Sequence, residues 1–182
     1  MKRITKKELK EILDKHQKWM LNEDEGERAD FSYMNLAGVD LRRENLGGMI
    51  LQGADLRGAD LTGTTLVETD LKGTDLKDTD LKGADLRGAD LRGADLKGAT
   101  LVETDLKGAN LDYSCLPLWC GSLYAHFDDR QLKQIAYHIV KAGLQSKNAS
   151  PETKRELAKL IDFANGFHRV DECGIITWKE EP

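Results

Sequence analysis

The side chains suited to chemistry fall into a sparse set and a dense one. Cys120, His126, His138, His168 and Cys173 make up the sparse set, all beyond residue 119. Zinc takes four N or S ligands, usually at short paired spacings, and no CxxC or HxxxH pair links these five. A metal site there is the most distant of the functional readings. Ser114 and Ser122 sit in no nucleophile-elbow frame. The 17 glycines mostly fall at regular five-residue intervals, so no phosphate-binding loop is implied. The dense set is carboxylate, with Asp recurring every five residues and Lys or Arg often two positions later. Such rows collect divalent cations weakly, since a dedicated site needs convergent oxygens. Met34–Asp112 has no Cys, His, Pro or aromatic residue, which removes thiol and imidazole chemistry from that stretch. No catalytic, cofactor-binding or metal residue is assigned, no cofactor is expected, and the chain reads as a non-enzyme.

The elements that carry the carboxylates follow from a strict period. Taking Phe31, Leu36, Leu41, Leu46, Leu51, Leu56, Leu61, Leu66, Leu71, Leu76, Leu81, Leu86, Leu91, Leu96, Leu101, Leu106, Leu111 and Leu116 as centres gives 18 consecutive five-residue units. With the centre written i, position i−2 is Ala eight times and Thr five times. Asp fills i−1 eleven times and Asn three times, while Gly fills i+2 eleven times. A helix would spread every fifth residue around all its sides, and a strand would flip them between faces. A long helix would also lose about 1 kcal/mol at each Gly. What remains is a chain that turns a corner every five residues and sends each centre into one interior. Gly at i+2 suits a type II turn, whose third residue needs positive φ.

The run Ala54-Asp55-Leu56-Arg57-Gly58-Ala59-Asp60-Leu61 resembles the pentapeptide repeat family, whose pattern is A-(D/N)-L-X-X. The resemblance covers Ala29 to about Pro117. It implies an all-β solenoid with α-helical caps, a right-handed quadrilateral β-helix with four units per coil. The 18 units then make about four and a half coils. Departures from the pattern set local expectations. Glu44 at an inward i−2 position predicts an irregular first coil, because burying a carboxylate is costly. Glu68, Asp78 and Glu103 in place of Gly at i+2 predict corners that avoid the type II geometry. Thr65–Gly73 recurs unchanged as Thr100–Gly108, which points to internal duplication or design.

Four units per coil would align Asp55, Asp75 and Asp95 on one face, beside Arg57, Lys77 and Lys97. With Asp60, Asp80, Asp85 and Asp105 these form the candidate interaction surface. Residues 28–117 hold 11 basic and 16 acidic side chains, so the net charge of −5 resides there. The favoured reading is a protein-interaction or structural scaffold with an unidentified protein partner. The resemblance also implies an alternative, since some members of the family confer quinolone resistance by presenting acidic faces to DNA gyrase in place of DNA. Against it, the Asp rows carry Lys or Arg alongside, whereas duplex DNA has one uncompensated charge per roughly 1.7 Å. No direct nucleic-acid binding is expected.

An open solenoid needs caps at both ends. Residues 1–27 read as an N-terminal capping helix and linker. From Thr5 to about Leu21 the residues Leu9, Ile12, Leu13, His16, Trp19 and Met20 form one stripe, and Thr5 with Glu8 forms a capping box. Residues 28–117 are the solenoid and 118–182 a C-terminal helical hairpin. Its first helix is capped by Asp128 and Gln131 and runs to about Gln145, with the stripe Leu132, Ile135, Ala136, Ile139 and Val140. Its second starts at Ser150-Pro151 and carries Leu157, Leu160, Ile161, Ala164 and Phe167. Ile175–Trp178 reads as a short strand. The same hairpin is suited to joining two copies in a homodimer. No apolar run approaches 18 residues, which excludes a transmembrane helix and argues against membrane association. The basic start lacks an apolar h-region, and three cysteines suggest no disulfide framework, so a cytoplasmic setting is expected.

Overall fold

The computed structural model describes residues 4–116, 125–145 and 149–165. The chain forms two compact units, Met1–His126 and Phe127–Pro182. The expected boundary at 117/118 falls among residues outside those described.

In the first unit, parallel bridges join residues 20 apart, from Asp30 with Ile50 to Asp95 with Cys115. Four five-residue sides therefore complete one coil. The last described bridge, Asp105 with His126, spans 21 residues. A corner every five residues leaves one bridging residue per side, so the described ladder consists of single bridges and contains no extended strand.

The unit Ala54–Gly58 shows why each position keeps its residue type, because all five backbone donors have assigned acceptors. Ala54 N–H closes the preceding corner on Leu51 O at 3.0 Å. Asp55 N–H reaches back one coil to Met34 O at 2.9 Å. Leu56 and Gly58 N–H reach forward to Asp75 O and Lys77 O, at 2.8 and 2.9 Å. The fifth donor, Arg57 N–H, points away from both neighbouring coils and is taken by the Asp55 carboxylate, Oδ1, at 3.2 Å. Only a short side chain carrying an acceptor can fill that role, which explains Asp and Asn at i−1.

The centres from Leu36 to Leu106 are at most 1% exposed, Phe31 is 1% exposed, Leu111 is buried and Leu116 half-buried. Each buried Leu contributes about 1.5–3 kcal/mol. The inward threonines keep their hydroxyls satisfied. Thr69, Thr74, Thr79 and Thr104 each donate to the carbonyl of a Leu 23 residues earlier, at 2.7–2.9 Å.

Two expectations are corrected. Glu68, Asp78 and Glu103 do not avoid the corner geometry, for their φ values are 56°, 55° and 61°, alongside 62–63° at Gly53, Gly58 and Gly73. Positive φ falls at i+2 and not at i+1, as a type II turn requires. Bonds to the next coil, such as Glu68 N–H to Arg87 O at 3.0 Å, impose the geometry on whichever residue is there. The left-handed backbone costs each non-glycine corner about 1–2 kcal/mol. Nor is the first coil irregular at Glu44. Its N–H bonds Leu41 O and its carbonyl accepts Thr65 N–H, while its side chain turns out to solvent.

The helix α1 (Lys6–Met20) also belongs to this unit, with Thr5 and Glu8 completing a capping box. Gly26 fits where it does because a Cβ would strike the Trp19 backbone.

The second unit contains α2 (Asp129–Gln145), α3 (Pro151–Ala158) and α4 (Ile161–Asn165). Asp128 and Gln131 cap α2 reciprocally, each side chain accepting the other's N–H at 2.9 and 3.0 Å. The buried face of α2 differs from the expected stripe. Tyr137, Val140 and Leu144 form the core with Leu157, Ala158 and Ile161 against it, whereas Leu132 and Ile139 are 43% and 44% exposed. Tyr137 is fully buried at its centre, and its hydroxyl accepts a hydrogen bond from Lys141 Nζ at 2.9 Å. The expected second helix is interrupted at Lys159–Leu160, where i−3 bonds tighten the backbone and leave Leu160 47% exposed. Phe167 and Ile175–Trp178 lie outside the described residues. Among the described residues no helix is long and apolar enough to cross a membrane.

Candidate functional site

The surface rows follow directly from the coil geometry. An Asp held by the N–H two residues ahead has its second oxygen aimed at the side chain of that same residue, and Lys or Arg folds back onto it. Arg57 Nη2 meets Asp55 Oδ2 at 2.7 Å, and its Nε lies 3.8 Å from Asp75 of the next coil. Lys77 bridges Asp75 and Asp95 at 3.1 and 2.9 Å. One face over, Lys72 bridges Asp70 and Asp90 at 3.0 and 3.3 Å. Each cation therefore lies between carboxylates of successive coils.

The remaining candidate carboxylates vary in their pairing. Asp85 forms a two-pronged pair with Arg87 at 2.8 and 2.7 Å. Asp60 accepts Thr62 N–H at 3.1 Å and lies 3.5 Å from Arg42. Asp105 accepts Lys107 N–H at 3.0 Å, with Lys107 Nζ at 3.7 Å. Asp80 accepts Lys82 N–H at 3.0 Å. Asp55 is buried and the other six are half-buried.

The titration behaviour agrees with this use. The Arg57 guanidinium holds Asp55 below the usual carboxylate range, and Arg87 does the same for Asp85. Hydrogen bonding from Lys77 lowers Asp95, and the carboxylates of Asp95 and Asp75 raise Lys77. Asp40, paired with Arg42, is pulled down to about 2. These carboxylates stay charged, but backbone donors and cations already occupy their oxygens. Exposed pairs of this kind add about 0–1 kcal/mol each, so the backbone acceptor role outweighs the ion pairing.

Among the described residues no group of three or more His, Cys, Asp or Glu could hold a metal ion. Cys120, His168 and Cys173 lie outside the described residues, as does the His138 side chain. His126 is placed by its backbone, which closes on Thr104 and Leu106.

Sequence reasoning misses two features. Non-glycine corners cover the glycine of the next coil: a Cβ on Gly53 would lie 2.6 Å from the Tyr33 ring, and one on Gly98 would strike Asp78 Oδ1. The signal is that Tyr33, Arg43, Glu68 and Asp78 are each followed by Gly twenty residues later. His16, placed in an apolar stripe by periodicity, instead joins α1 to the first coil. Its signal is a histidine within that stripe ahead of the Gly47-Gly48 pair.

The family profile for pentapeptide repeats matches residues 45–78 and 74–112 in eight copies. A solved pentapeptide repeat protein from Nostoc PCC 7120, alr5209, is 30% identical over 63% of this chain and 93% of its own, with a TM-score of 0.35. This chain belongs to the pentapeptide repeat family. Pentapeptide repeat proteins are right-handed quadrilateral β-helices, and the 20-residue bridging is that of four five-residue sides per coil.

Two further structures are similar. HetL, a pentapeptide repeat protein involved in heterocyst differentiation regulation in the cyanobacterium Nostoc sp. strain PCC 7120, is 30% identical over 54% of this chain, with a TM-score of 0.48. Rfr23 from the cyanobacterium Cyanothece 51142 is 38% identical over 50% of this chain, with a TM-score of 0.41. This pentapeptide repeat protein spans 45% of HetL and 60% of Rfr23. Comparison with curated proteins gives no match.

Proposed function

We propose that this pentapeptide repeat protein is a non-enzymatic, cytoplasmic interaction scaffold of about four and a half coils, whose first coil is capped by α1. One observation carries the reading: the candidate carboxylates already accept backbone N–H groups, and all but Asp80 also pair with a Lys or Arg among the described residues. What the rod offers a partner is a fixed lattice of alternating charge. The exposed Leu132, Ile139 and Leu160 support a second role for the helical unit, joining two copies. A triple variant, Arg57→Gln, Lys77→Gln and Lys97→Gln, tests the scaffold reading against any protein recovered by affinity capture. Loss of binding at unchanged melting temperature supports docking on the lattice, and full retention for every recovered protein removes that face from the reading.

The excess of acid on the rod favours a second reading, a DNA mimic acting on gyrase. Local compensation of the Asp rows weighs against it. Gyrase supercoiling is expected to proceed unchanged at micromolar protein, and clear inhibition would establish the mimic instead.

A further inference from the structure

One imidazole connects α1 to the first coil. His16 is fully buried, its Nδ1 accepting Ala29 N–H at 3.2 Å and its Nε2 lying 3.1 Å from Gly47 O. Because Nδ1 must present a lone pair to Ala29, the ring proton belongs on Nε2, which donates to Gly47. In later coils the equivalent carbonyl accepts a corner N–H from the coil beneath, as Lys72 O does from Gly53. The first coil has none beneath it, and His16 supplies the missing donor. The arrangement is buttressed by Trp19, stacked on the imidazole at 5.3 Å. Arg28 lies 5.8 Å from the Trp19 ring and donates Nε–H to Gly48 O at 2.6 Å.

This site fits only a neutral ring. An imidazolium has no acceptor and would direct a second N–H at that of Ala29. The surrounding charges do not favour a proton either. From α1 come Lys15 and Lys18, already paired with Glu27 and Glu25. The linker brings Arg28, a cation, with Asp30 answering it. Asn45, Gly47 and Gly48 of the coil are uncharged. Among the described ion pairs no carboxylate partners His16. Burial lowers its pKa and Arg28 adds to the effect, against the bond to Gly47.

We propose that His16 is a proton-sensitive latch: the neutral ring closes α1 on the first coil, and protonation releases α1 and uncovers that coil's lower edge. Phe31, Leu36, Leu41 and Leu46, each 1% exposed when closed, form the layer at that end.

The sign follows from linkage. The open state binds a proton with the ordinary histidine pKa of about 6.5 and the closed state resists it, so the latch weakens as pH falls below 6.5. Opening should rise roughly tenfold from pH 7.5 to 5.5. Hydrogen exchange of the α1 and Ala29 amides in the full chain, corrected for intrinsic rates, measures this. Amides of the inner coils, such as Leu76, serve as the reference. The expected result is a tenfold loss of protection confined to α1 and Ala29. In His16→Gln, whose amide can accept from Ala29 and donate to Gly47 without titrating, protection should be flat over the same range. Flat protection in the wild type overturns the proposal, as does an equal slope in the Gln variant. If the variant frees α1 at every pH, the wild-type slope decides alone.

Discussion

The rod and the helical unit bury similar aliphatic side chains but constrain them differently. Along the rod the centre of every unit faces inward, and each neighbouring position supplies a required bond or a required shape. In α2 the apolar residues outnumber the positions one face can bury. Packing therefore selects Tyr137, Val140 and Leu144 and leaves Leu132 and Ile139 outside. A repeated pattern assigns each residue through many equivalent bonds, whereas a single amphipathic helix leaves its rotation to the neighbours it meets.

Core substitutions should break this contrast most sharply. Leu76→Asp buries an unpaired charge in mid-rod and should abolish folding of the rod, removing its melting transition by circular dichroism. In the helical unit Tyr137→Ala should cost about 3 kcal/mol and loosen the helices while the rod still melts cooperatively. A cooperative rod transition in Leu76→Asp would contradict the inward assignment. A smaller effect is expected where α1 meets its linker. Gly26→Ala should cost about 2 kcal/mol, because the added Cβ strikes Trp19 backbone that cannot swing aside. Exchange protection should fall in α1 and not around Leu76.

Acid sharpens the comparison among the rod's own sides. Asp55, Asp85, Asp90 and Asp95 have lowered pKa values, so their contribution is complete above the ordinary value near 4 and is lost as pH falls below it. The rod's melting temperature should therefore drop between pH 5 and about 3, and Asp85→Asn should reduce that slope. At the corners Glu68→Gly should stabilise the rod by about 1 kcal/mol, since glycine adopts φ of 56° without strain. No gain in melting temperature would mean that Glu68 side-chain contacts offset the backbone cost.

Much of the rod was legible because a period of five suits neither a helix nor a strand. Letters alone did not reveal what Asp at i−1 does. Asp55 looks like surface charge in the sequence, and only the coil shows its carboxylate accepting Arg57 N–H. The corners at Glu68, Asp78 and Glu103 do not follow from glycine preference, which is local, because the turn is imposed by bonds between coils. His16 fitted an apolar stripe, and its two backbone partners, Ala29 and Gly47, are 13 and 31 residues distant. The α2 stripe admitted two rotations, and nothing in its spacing favoured the one centred on Tyr137.

The central claim, that the Asp rows are backbone acceptors first and surface charge second, is tested most directly at Asp80. Its Oδ1 accepts Lys82 N–H at 3.0 Å, and among the described residues no ion pair of Asp80 complicates the comparison. Asn35, Asn45 and Asn110 perform the same task elsewhere in the rod without charge. Chemical denaturation of Asp80→Asn and Asp80→Ala decides the matter. The account predicts that Asn stays within about 0.5 kcal/mol of the wild type while Ala loses about 1–2 kcal/mol, the cost of an orphaned donor. Equal losses in the two variants, or no loss in either, would contradict it.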